Sequence, residues 1–143
     1  MLLGLLAAGC AGQDPTGTEA KTAQIIRARD LWRAAGLSNY GFTSSVFCFC
    51  PSEYVSAKRV TVRSGVVTAV VDPVTRTSVL LAWRKPVDSL FVLALREAIE
   101  RPAGLDITFD AALGYPRRLS YGFDPQIADG GVVITLDGVT ANP

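Results

Sequence analysis

Tyr40-Gly41-Phe42-Thr43-Ser44-Ser45-Val46-Phe47-Cys48-Phe49-Cys50-Pro51 is the longest aromatic and β-branched run outside the helix-like segments, and it stops at a proline. On a two-residue period Tyr40, Phe42, Val46, Cys48 and Cys50 share one face, and Gly41, Thr43, Ser45, Phe47 and Phe49 share the other. That alternation predicts a strand. Both faces turn apolar toward the cysteines, which predicts a strand internal to its sheet at that end.

Downstream, Pro51-Ser52-Glu53-Tyr54 reads as a loop and Lys58 to Val71 as a hairpin. Val60 and Val62 point inward, Ser64-Gly65 makes the turn, and Val66 to Val71 returns. Asp72-Pro73 ends it, and Val74 to Trp83 reads as a long loop or irregular extension. After Pro86 a broad apolar stripe of Val87, Leu90/Phe91, Ala94/Leu95 and Ala98/Ile99 predicts a helix, with Asp88, Arg96, Glu97 and Glu100 off the stripe. Asp88 and Ser89 suit its first turn, where a carboxylate and a hydroxyl can satisfy free amides. Three further strands follow, around Leu105–Phe109, Arg117–Phe123 and Val132–Leu136.

Upstream, Ile25, Ala28, Leu31/Trp32 and Ala35 recur at helical spacing, and Gly36 supplies a stop. The order is therefore α-β-β-β-α-β-β-β. Short turns join antiparallel strands, and two amphipathic helices must cover an apolar face. The fold class expected is α+β: two layers, an antiparallel sheet of about six strands, and two helices on one face.

A chain of 143 residues with 49% apolar residues and a formal charge of +1 is globular in composition, with no electrostatic case for nucleic acid. Histidine is absent, which removes the commonest general base and zinc ligand. No catalytic residue, metal site or cofactor is assigned.

Met1-Leu2-Leu3-Gly4-Leu5-Leu6-Ala7-Ala8-Gly9-Cys10 resembles a bacterial lipoprotein signal, an apolar run ending in small residues before a cysteine. The resemblance implies removal of residues 1–9 and a lipidated Cys10 at the mature N-terminus. A short apolar strand is the alternative. Residues 10–18 are small and polar, the composition of a tether, ahead of an α+β domain over residues 19–140. The expected location is the cell envelope, anchored to a membrane through lipid.

With Cys10 acylated, Cys48 and Cys50 remain. Positions two apart on a strand are about 6.6 Å apart, near the upper limit of disulfide geometry, so a bridge needs the strand to buckle at Phe49. A local staple, two buried thiols and a redox pair are all open readings. Asp106, Asp110, Asp124 and Asp129 read as solvated surface and turn residues. Tyr54, Trp83, Tyr115 and Tyr121 are the aromatic candidates for a binding surface. Trp83 leads them, since it sits beside Arg84 and Lys85 in a loop-like stretch, with a cap on the core edge as its alternative role.

Trp32, Tyr40 and Phe42, the Cys48-Phe49-Cys50 pair and the Arg59–Val70 hairpin with Gly65 appear in a set order. Val87-Asp88-Ser89-Leu90-Phe91, Phe109-Asp110 and Gly114-Tyr115-Pro116 continue it. Together, from Ile25 to Val139, they resemble a family of small bacterial lipoproteins defined only as a domain of unknown function. The resemblance implies an exported, anchored α+β domain with a Cys-x-Cys strand, and it implies no activity. Two functions are expected from the residues: a non-enzymatic, lipid-anchored binding module with an envelope protein as partner, or a thiol-redox protein using Cys48 and Cys50.

Overall fold

The computed structural model describes residues 17–142. The expected leader, Cys10 and most of the expected tether lie outside the described residues. One open antiparallel sheet carries the fold, with strand order β3-β2-β1-β6-β5-β4. Its members are β1 (Tyr40–Phe47), β2 (Lys58–Arg63), β3 (Val66–Val71), β4 (Asp106–Phe109), β5 (Pro116–Tyr121) and β6 (Val132–Ala141). The helices are α1 (Thr18–Ala35), the single turn α2 (Ser52–Val55) and α3 (Val87–Glu100). Sequence alternation placed each strand within a few residues of its place. The exception is β6, which runs on past Leu136, turns through Gly138 at φ 62°, and pairs Ala141 with Tyr40.

Tyr40 shows why α1 and α3 lie on the same face. Its ring meets Trp32 of α1 edge-on at 5.1 Å, and its hydroxyl accepts a 2.9 Å hydrogen bond from the Val87 amide at the start of α3. That amide is buried and has no carbonyl four residues back, so the phenol takes the place of an N-cap. Asp88 and Ser89, the residues expected to cap this helix, make no side-chain cap. Burial lifts the Tyr40 phenol to about 12, because its anion would lose its hydration beneath two helices.

The core is the even face of β1 (Tyr40, Phe42) with Val60 and Val62 of β2, Leu119 and Leu136, under Ile25, Trp32, Leu90, Phe91 and Ala94. Gly114 lets the β4–β5 connection press on α1. A Cβ there would sit 2.3 Å from the Ala28 carbonyl oxygen, and its φ of 78° is left-handed. At the β2–β3 turn Ser64 (φ 49°) and Gly65 (φ 75°) are both left-handed, as a two-residue hairpin requires.

Two charged residues lie deeper than their chemistry suggested. Glu97 was placed off the α3 stripe, yet it falls seven residues after Leu90 and so shares the inner face. It is buried against Arg101 (3.2 Å) and Arg96 (3.5 Å). Lys58 is in phase with Val60 and is buried too, paired with Asp72 at 3.1 Å and bonded to Ser56 Oγ.

Candidate functional site

The site begins with a difference in strand length. β1 pairs with β2 only from Tyr40 to Ser44, but with β6 as far as Phe47. Ser45, Val46 and Phe47 therefore outrun β2, and the chain fills that corner by turning sharply through the cysteines into α2.

The turn is closed by a Cys48–Cys50 disulfide, with Cα atoms 5.2 Å apart. An extended strand would hold them about 6.6 Å apart. The chain does buckle: the strand stops at Phe47, and the Cys50 amide donates to the Cys48 carbonyl at 2.9 Å. The expectation of a strand continuing through Cys50, internal to the sheet and apolar on both faces, is therefore corrected. Phe47 and Phe49 point into solvent, Phe49 at 85% exposure. Alternation alone could not reveal this, because the covalent bond overrides the two-residue period.

On the helix-bearing side of this corner lies a cleft of about 180 Å³. Its walls come from both cysteines, Tyr54, Trp83, Arg84 and Tyr121, over an apolar floor of Val46, Ile134 and Leu136. Trp83 closes a 3₁₀ turn (Leu81–Trp83) in the stretch expected to be irregular, and its ring meets Tyr54 edge-on at 5.6 Å. It is half-buried, so it is both the edge of the packed interior and a wall of the cleft. Burial raises the Tyr121 phenol above its ordinary range, with Tyr54 and Glu97 adding to that effect and Arg96 opposing it.

Arg84 departs most from expectation. Expected at a surface beside Trp83, it is only 4% exposed. Its Nε donates to the Ser44 carbonyl at 3.4 Å and its Nη1 to the Trp83 carbonyl at 2.8 Å. Nη2 donates to the Tyr54 and Ser56 carbonyls at 2.9 and 2.8 Å. The guanidinium also lies over the Tyr54 ring, 5.5 Å from its centroid. One side chain thus ties β1, α2 and the segment ahead of α3 together. Burial pulls its pKa below the usual arginine range. Nothing in the sequence marked it for the interior. Lys85, noted in the sequence only as a neighbour of Trp83, is exposed and lines the same cleft.

Tyr115 is not part of this site. It is buried in the core, with its ring 6.5 Å from that of Trp32. Its place on the binding surface is withdrawn: the loop that Gly114 presses against α1 carries it inward. Three of the four carboxylates have local partners. Asp106 pairs with Arg118 at 3.0 Å, Asp110 accepts from the Ala112 and Leu113 amides, and Asp124 accepts from the Gln126 amide. Among the described residues no three acids, cysteines or histidines are grouped as a metal would need. No described helix is long and apolar enough to cross a membrane.

Searches of curated proteins and of solved structures find no significant match to this chain. The family comparison is positive, and it spans every strand of the sheet. Residues 24–141 match the model of a family of unknown function (DUF6174), and the chain belongs to that family.

Proposed function

We propose that the protein is an exported, lipid-anchored, non-enzymatic binding module whose recognition element is the cleft beneath the Cys48–Cys50 turn. The observation that carries this reading is the convergence of Cys48, Cys50, Tyr54, Trp83 and Arg84 on one concavity, although they come from separate parts of the chain. Aromatic walls, an apolar floor and a few fixed polar groups are the usual composition of a small-ligand site. No carboxylate lines it and the chain has no histidine, so it lacks the customary acid–base pair.

The polarity of the fold supports anchoring. α1 and β1 run in opposite senses, since Trp32 near the end of α1 meets Tyr40 at the start of β1. The entry to α1 and the cysteine turn therefore share one pole. Lys21 in the first turns of α1 donates to the Leu105 carbonyl at 2.7 Å, beside the Pro102–Gly104 turn, which abuts Phe123. Phe123 in turn shares a surface hollow with Phe47 and Phe49. Phe47, Phe49, Phe123 and Ile127 are all exposed. Cys10 is seven residues before Gly17, a reach of at most about 25 Å. A lipid on Cys10 would hold this apolar pole against a bilayer.

The test is to express the full chain in a bacterium with a radiolabelled fatty acid. Acylated protein in the membrane fraction is expected, with loss of label in Cys10→Ser. Unacylated full-length chain in the cytosol would overturn the anchoring.

A thiol-redox role is the second reading, favoured by the placement of the bond: it lies on an exposed turn and lines the cleft, with Cys50 open to solvent. Rapid, reversible cycling against a dithiol buffer near cellular potential would select it.

A further inference from the structure

We infer that the cleft is a receptor for a small organic acid, with a carboxylate on Arg84 and a compact apolar body between Trp83, Tyr54 and the Val46–Ile134–Leu136 floor. This rests on the cleft being the recognition element of the module.

The charge on Arg84 is the starting point. Buried cations are ordinarily paired with an acid. Lys58 has Asp72 at 3.1 Å, whereas every hydrogen-bond partner of Arg84 is a backbone carbonyl and its other neighbour is the face of the Tyr54 ring. Holding carbonyls together takes donors and does not take a net charge. A guanidinium has five N–H groups, and four are accounted for by those carbonyls. The fifth is on Nη1, in a side chain that lines the cleft. Lys85 lines it as well, and no aspartate or glutamate does. The cleft thus has two cations in its lining and no carboxylate.

The number of free donors selects the anion. One N–H on Nη1 and the ammonium of Lys85 suit a monoanionic carboxylate. A phosphate dianion is customarily held by several converging donors, which this cleft does not offer. Size selects the body. A cavity of about 150 Å³ accommodates benzene, so about 180 Å³ fits one ring or a short branched chain and its acid group.

The carboxylate can come from a free acid or from the end of a peptide, and the experiment separates them. The full chain, ¹⁵N-labelled, is titrated with phenylacetate, benzoate and 4-methylpentanoate, with phenylacetamide as the neutral twin of the first. A short peptide with an apolar last residue is added as free acid and as amide. The expected result is saturable shifts at the Trp83 indole and at Cys48–Cys50, with phenylacetate at least tenfold tighter than phenylacetamide. Lys85→Ala, an exposed change, should weaken the acid and leave the amide alone. Arg84→Gln should abolish the preference for acid wherever it folds. If the peptide acid shifts these signals and its amide does not, while the free acids are silent, the proposal stands with a chain terminus as the source. Equal affinity for acid and amide would leave the cleft a binding site and overturn the carboxylate assignment. No shift at the cleft with any probe would overturn both.

Discussion

Opening the Cys48–Cys50 bond should cost the fold little. The bridge closes a loop of only three residues. The entropy that such a closure removes from the unfolded chain gives about 1.6 kcal/mol at 25 °C. The surroundings add little to this. Phe49 and Cys50 are exposed, Cys48 is half-buried, and the pairing of β1 with β6 already ends at Phe47. A domain of this size unfolds with an entropy of about 0.26 kcal/mol per kelvin, so the loss corresponds to about 6 °C in Tm. The Cys48→Ser/Cys50→Ser double variant, melted by calorimetry beside the oxidised protein, should therefore stay folded and cooperative. Amide shifts should be confined to the turn, α2 and the cleft. A fall of more than about 12 °C, or faster amide exchange across β6, would refute the reasoning and show that the bond secures the sheet. The outcome bears on function, because a bond that opens without unfolding the domain is available to redox partners.

Tyr40→Phe leaves the buried Val87 amide without its acceptor and should cost about 1–3 kcal/mol by chemical denaturation. It should also flatten the alkaline limb. The phenol ionises near 10 in the unfolded chain and at about 12 in the folded one, so its contribution to stability is full below pH 10 and falls by about 2 kcal/mol by pH 12. The Asp72 carboxyl is held down to about 2 by the Thr75 amide first, then by Lys58 and the Val74 amide. Its contribution is full above the unfolded value near 4 and is lost as pH falls toward 2, so Asp72→Asn should remove that part of the acid transition in a pH-melting series. Gly114→Ala forces a Cβ into the Ala28 carbonyl at a left-handed φ, and should cost at least about 2 kcal/mol, read as a lowered urea midpoint.

Regular elements were legible because burial enforces their periods. The Val87-to-Ala98 stripe, the positions of Val60 and Val62, and the Ser64-Gly65 turn each follow from one local rule. The strand order was not legible: β6 beside β1 joins the two ends of the domain, and no local pattern encodes that pairing. Glu97 departs from expectation for a different reason: its spacing puts it inside while its charge argues for outside, and the geometry prevails because Arg101 neutralises it. Lys58 is held inside in the same way by Asp72. The cleft was half legible. Cysteine and aromatic content pointed to Cys48, Cys50, Tyr54 and Trp83, but their meeting depends on where β2 begins. Tyr115 had the same composition signal and lies in the core.

Among the described residues three charged side chains, Lys58, Arg84 and Glu97, are buried on the helix-bearing side. Lys58 and Glu97 have counter-ions in the protein, so a solute anion should do nothing for them. Arg84 has carbonyl dipoles and the face of the Tyr54 ring, and no carboxylate. In the ligand-free state the domain bears the desolvation of a cation with no acid beside it, and a bound carboxylate would offset that cost only in the folded form. An acid at one hundred times its Kd should then add about 2.7 kcal/mol, or roughly 10 °C in Tm. Phenylacetate and phenylacetamide, tested at equal concentration by scanning calorimetry, should differ by several degrees. The difference should vanish in Arg84→Gln and persist in Asp72→Asn. A general anion effect would behave otherwise: chloride or sulfate at the same ionic strength would raise the Tm as far as the organic acid does, and every buried cation would respond. That result would return Arg84 to a purely structural role as a clasp for the Ser44, Tyr54 and Ser56 carbonyls.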